Sequence, residues 1–195
     1  MAIDPKDLPS DPLDELIEVP NPLQIEFNAL VRANHKFSLE GIEREEDSDR
    51  LNLDEDEFRY QQTYYDDLRT AANNLAIAAL VTRIDHWVTR YSEKIGMGKT
   101  GSTIEKIERL NQRFKGAPIP VQFFIDLLNA RDSVIHGNSK SEWEYKGTRR
   151  VADEHKNLFD ELEIASWQVE EAIKKSVEQL SWYEDQITRT IGPRA

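Results

Sequence analysis

Between residues 58 and 95, apolar side chains recur every three or four positions, at Leu68, Ala71, Leu75, Ala78, Val81, Ile84, Val88 and Tyr91. That spacing gathers them on one side of a long α-helix. A helix with one apolar stripe cannot stand alone in water, so other helices must cover it. Gly96, Gly98 and Gly101 end the run, and a shorter helix is expected over 102–114 with Ser102 or Thr103 as its cap. After the turn at 115–120, Pro120 suits a first helical position, where its missing donor would have no partner anyway. The following helix carries Phe124, Leu128 and Ile135 and stops at Gly137.

Two more segments complete the pattern. Phe27, Leu30, Val31 and Phe37, then Leu39 and Ile42, fit a helix over 23–46, followed by a charged link over 47–57 whose acids suit the start of the long helix. Residues 138–150 lack a period and read as a loop. A second long helix is expected over 151–191, with Leu158, Leu162, Ala165, Val169, Ile173, Leu180, Tyr183 and Ile187 on its stripe. No alternating strand pattern and no internal repeat occurs. The expected fold is therefore all-α: an up-and-down bundle of four to five helices, two of them long.

Residues 1–22 contain five of the eight prolines and many acids, which leaves little apolar surface to offset ordering, so they are read as a disordered tail before a domain over 23–195. The tail has neither the basic start nor the apolar run of a secretory signal, and no stretch reaches the roughly 20 apolar residues of a membrane span. Cysteine is absent, so no disulfide or thiolate metal site supports the fold. These features point to the cytoplasm.

The net charge of −12 argues against phosphate binding until its distribution is considered. Residues 1–57 hold 17 acids and 5 bases, whereas residues 58–195 hold 20 of each. The body is neutral, and Lys140, Lys146, Arg149 and Arg150, set against Glu142 and Glu144, offer a modest basic patch or an ordinary solvated surface. Gly98-Lys99-Thr100 resembles the end of a phosphate-binding loop, but Glu93 stands where that loop needs glycine, so the segment is read as a turn. The acids at 54–57 lack calcium-loop order, and His35, His86 and His155 have no partners at metal-ligand spacing. No metal and no cofactor is expected.

The informative segment runs from Asn129 to Asn138. Spacing through Phe124, Leu128, Arg131 and Ile135 puts a guanidinium on the stripe of core positions, where it needs either an internal acid or a phosphate in a cleft. His136 stands one turn beyond Asp132, so the carboxylate can orient the imidazole and favour its charged form, as does the helix C-terminus. An imidazole with an ordinary pKa of about 6.5 suits proton transfer near neutrality. It equally suits capping of the last carbonyls.

Arg131, the polar Asp132 and His136, with four residues between arginine and histidine at the end of a late helix in a bundle, resemble the HEPN domain family. At residue level the likeness covers about 129–138; as a helical pattern it covers 23–191. The resemblance implies a metal-independent endoribonuclease that acts on single-stranded RNA as a homodimer, in toxin, antiviral-defence or RNA-processing settings. Arg131 would grip the phosphate, His136 would move the proton and Asp132 would orient His136. Its non-catalytic counterpart is a helical module that binds a partner protein, such as an antitoxin or a nucleotidyltransferase. A plain scaffold with Arg131 paired inside the core is the third reading.

Overall fold

A computed structural model describes residues 21–136, 142–145, 148–151 and 164–191; for 133–136 and for 142–145 and 148–151 it describes the backbone alone. The fold is an all-α bundle carrying one small β-hairpin. In chain order the elements are α1 (Pro22–Glu26), a π-helical segment (Phe27–Ala33), α2 (Asn34–Asn52), α3 (Glu55–Lys94), α4 (Thr103–Arg113), α5 (Val121–His136), β1 (Glu142–Tyr145), β2 (Thr148–Val151) and α6 (Ser166–Ile191).

The first helix starts at Pro22, with Asn21 as its cap: the Asn21 side-chain oxygen accepts from the Leu23 amide, and its Nδ2 donates to Glu184 of α6. Pro22 thus belongs to the body and not to the tail. The expected link at 47–57 is also corrected, because α2 continues to Asn52 and only Leu53 and Asp54 separate it from α3. Ion pairs one turn apart, Arg44 with Glu40 and Arg50 with Glu46, offset the acidity that suggested a break. Asp54 and Glu57 then form a reciprocal capping box at the start of α3, and Ser102 and Glu105 do the same for α4.

Helix α3 is the axis of the molecule, about 60 Å long at 1.5 Å per residue. Helix α2 folds back along it: Asp49 meets Tyr65, Glu46 meets Arg69 and His35 meets Asn73, so the two run antiparallel. Helix α6 runs parallel to α3, with Asn73 beside Ser166 at one end and Tyr91 against Tyr183 at the other. The core lies where α3, α4, α5 and α6 meet and includes Ile77, Leu80, Ile84, Tyr91, Ile107 and Phe124. Beyond this core, α2 and the first half of α3 form a two-helix arm. Within 36–72 only Tyr65 is buried, and the stretch holds 12 acids against 5 bases.

A polar node closes the arm against the bundle. The Nε2–H of buried His35 donates to the Asn73 side-chain oxygen at 2.7 Å, Ser166 donates to the same oxygen, and Asn73 Nδ2 donates to the Ile164 carbonyl. His35 is therefore a structural residue of the core edge.

The α3 stripe divides. Val81, Ile84, Val88 and Tyr91 are buried, whereas Leu75 is 70% exposed, Ala71 is exposed, and Leu68 and Ala78 are half-buried. Asn73, Ala76, Ile77 and Leu80 take the inward face instead. The stripe steps by less than the 3.6 residues of a helical turn, so over so long a helix it drifts around the axis and off the face the neighbours cover.

The region read as a loop over 138–150 contains an antiparallel hairpin, with Trp143 opposite Arg150 and Glu144 opposite Arg149. Trp143, Tyr145, Thr148 and Val151 are good strand formers, and Gly147 between the strands is a turn residue. Helix α6 begins at Ser166 and not at 151, where β2 ends; Leu158, Leu162 and His155 lie outside the described residues. Its remaining stripe, Val169, Ile173, Leu180, Tyr183 and Ile187, is buried as expected.

Candidate functional site at the end of α5

Helix α5 starts one residue later than expected, with the Pro120 carbonyl accepting from the Phe123 amide at 3.1 Å. Phe123, Phe124, Ile125 and Leu127 anchor it in the core, and Ile119 just before it donates its amide to the Gln179 side chain at 3.0 Å. This anchoring fixes the first three turns and leaves the last turn at the margin of the core. Asp126, also buried, accepts from Gln122 one turn earlier.

Arg131 sits at that margin, with its side chain 31% exposed, and Asp132 beside it is 53% exposed. One Asp132 carboxylate oxygen lies 2.7 Å from Arg131 Nε as an ion pair. The Nε itself is enclosed and has no hydrogen bond aligned with it, so this proximity is Coulombic and not a directed bond. Asp132, read from spacing as a partner for His136, therefore faces its neighbour Arg131. His136 is the last residue of α5; its side chain and Gly137 lie outside the described residues. So do Lys140 and Lys146 altogether, while Arg149 and Arg150 are placed as backbone in β2.

A polar cluster next to Arg131 was missed by sequence reasoning. Lys106, on the core face of α4 between Ile104 and Ile107, is buried with its side chain 7% exposed. Its ammonium donates to Thr89 at 2.8 Å and to Asp85 at 3.2 Å, and the Thr103 hydroxyl donates to the same Asp85 oxygen at 2.6 Å. Burial pushes the Asp85 carboxyl upward, but the Thr103 and Lys106 hydrogen bonds and the charges of Lys106 and Arg131 outweigh it, leaving the group below its ordinary value. Asp85 thus stays charged and lends Arg131 a second negative neighbour on α3. The readable signal was Lys106 itself, a charge placed within an apolar stripe.

Residues 96–101 link α3 to α4 as a turn. Gly96, Gly98 and Gly101 adopt left-handed backbone angles, and Lys99 pairs with Glu93 at 2.7 Å. Among the described residues no group of three or more acids or histidines is placed to hold a metal ion, and no helix is long and apolar enough to cross a membrane. No family model, curated protein or solved structure matches this chain.

Proposed function

We propose that this chain is a cytoplasmic, metal-independent endoribonuclease of HEPN type that cuts single-stranded RNA as a homodimer. The observation that carries the reading is the position of Arg131: a guanidinium near the end of a buried helix, five residues before His136, whose ion-pair partner among the described residues is the exposed Asp132. An arginine kept wholly for the core would be sealed, whereas this side chain is 31% exposed.

The chemistry follows from what cleavage next to a ribose requires. The 2′-oxygen attacks phosphorus, the bond to the 5′-oxygen breaks, and a 2′,3′-cyclic phosphate and a 5′-hydroxyl result. His136 takes the 2′-hydroxyl proton, Arg131 stabilises the charge on the phosphoryl oxygens, and His136 of the second copy protonates the leaving oxygen. Asp132 holds Arg131 and stands one turn from His136, within reach to orient it. Substrate binding sets phosphate oxygens against the exposed part of the guanidinium, where they accept charge-assisted hydrogen bonds.

The acidic arm favours a second reading, a non-catalytic module whose α2–α3 hairpin docks on a basic partner such as an antitoxin or a nucleotidyltransferase. Incubation with single-stranded RNA in chelator separates the two. The nuclease reading expects cutting by the wild type and losses of at least about 100-fold for Arg131→Ala and His136→Ala, the scale of one general base or one charge stabiliser. Cutting that persists in both variants removes the proposed roles.

A further inference from the structure

The outward stripe of α3 can be laid out in equal steps on either side of one exposed leucine. Taking Leu75 as centre, Ala71 and Ala79 stand four residues to either side, Leu68 and Thr82 seven, Tyr64 and His86 eleven, and Tyr60 and Arg90 fifteen. Steps of four, seven, eleven and fifteen residues return to one face of a helix. All nine positions are exposed or half-buried, Tyr60 being 90% exposed. A helix face that repeats outward in both directions from one residue is the face that a second, antiparallel copy of the same helix matches.

We propose that α3 pairs with α3 of a second copy, antiparallel, about a two-fold axis at Leu75. Charge selects this occupant and this direction. Residues 55–69 hold five acids and two bases, whereas residues 81–94 hold three bases and two acids. Antiparallel pairing sets the acidic half of each helix against the basic half of the other; parallel pairing sets acid on acid. Size fits too, because the small Ala71 and Ala79 flank Leu75 and let two backbones approach while the leucines interdigitate.

The C-terminal half of the stripe is already concave. Thr82, His86 and Arg90 line an open groove of about 680 Å³ beside α4. In the antiparallel pair the groove of one copy receives Tyr64 and Tyr60 of the other, the tyrosine faces meeting an imidazole and a guanidinium. Two exposed aromatic rings and an open groove are thereby covered together.

The pairing deepens the dimeric nuclease reading, on which its functional meaning rests, by bringing the two motif ends toward one level. Helix α5 runs antiparallel to α6, with Ile119 at Gln179 and Phe123 at Lys175, and α6 runs parallel to α3. Together these directions set the α5 end at the level of the start of α6, beside the stretch of α3 that holds Asn73 and Leu75. That stretch adjoins the proposed axis.

The test reads mass and cross-links, so it stands or falls apart from RNA cleavage. The wild type should show twice the 22.6 kDa chain mass by light scattering, and Leu75→Glu should raise the dimer dissociation constant at least tenfold while keeping the wild-type helical signal and the melting point of the wild type diluted to monomer. Because the chain lacks cysteine, single replacements report direction. Leu75→Cys should form a symmetric disulfide, and Tyr64→Cys mixed with His86→Cys should form the mixed one in preference to either symmetric product. A monomeric wild type, a dimer unaffected by Leu75→Glu, or a Tyr64→Cys symmetric disulfide formed in preference overturns the proposal. So does a Leu75→Glu melting point well below that of the wild type diluted to monomer, since that places the residue under its own chain.

Discussion

Removing the Asp85 carboxylate tests the polar cluster beside Arg131. In Asp85→Ala the Lys106 ammonium, 7% exposed, keeps only Thr89, and Thr103 loses its acceptor. Breaking a fully buried ion pair from one side costs about 3–5 kcal/mol, and an exposed pair is worth about 0–1 kcal/mol. Here the lysine is buried but the acid side chain is 47% exposed, so the cost should fall between, at about 2 kcal/mol. For a chain of this size that is a fall in melting temperature of about 4–8 °C. Lys106→Met in the Asp85→Ala background should recover about half the loss, because no orphaned ammonium remains. Urea unfolding followed by circular dichroism measures all three variants. A cost below about 0.5 kcal/mol for Asp85→Ala, the range of ordinary surface changes, or strict additivity of the two substitutions, refutes the reasoning. The sign with pH is fixed as well. The folded carboxyl titrates below its ordinary value, so its contribution is present above about pH 4 and disappears as pH falls through the lowered value; Asp85→Ala should flatten that acid limb.

Three further outcomes follow from the core and the arm. The Tyr91 hydroxyl is buried without a hydrogen-bond partner, so Tyr91→Phe should leave stability unchanged or raise it by up to about 1 kcal/mol in thermal unfolding. Asn73→Ala, which removes bonds to His35, Ser166 and the Ile164 carbonyl together, should cost about 2–3 kcal/mol, and hydrogen exchange should rise first at the start of α6. The hydrogen bond to Asp49 is the main reason the Tyr65 phenol is pushed up to about 12; the stability it gives is whole below pH 10 and lost as pH rises through that value, and in absorbance titration Asp49→Asn should return one tyrosine toward its ordinary value.

The all-α architecture was legible because it follows from a period, and a period survives small errors of phase. The helix ends were legible where side chains cap them, as at Ser102 with Glu105. Which side of α3 faces inward was not: Leu75 and Ile84 both belong to the sequence-derived stripe, yet only Ile84 is buried, and the choice is made by where α2, α5 and α6 pack. The hairpin was overlooked because four-residue strands are too short to establish an alternation. At the candidate site, Arg131 was found from its place on an apolar stripe, whereas Asp85 and Thr103 lie 46 and 28 residues away in sequence and join it only through the packing of α3, α4 and α5. Lys106 was readable and was passed over, since a single lysine within a short amphipathic helix is usually a solvated one.

The end of α5 is proposed to promote attack by a ribose 2′-hydroxyl without a metal. A DNA oligonucleotide carrying one internal ribonucleotide, incubated with the protein in chelator and analysed by mass spectrometry, tests it most directly. One cut is expected, 3′ to the ribonucleotide, leaving a 2′,3′-cyclic phosphate and a 5′-hydroxyl, with no cut in the all-deoxy strand. Equal cutting of the all-deoxy strand, or products ending in 3′-hydroxyl and 5′-phosphate, contradicts it.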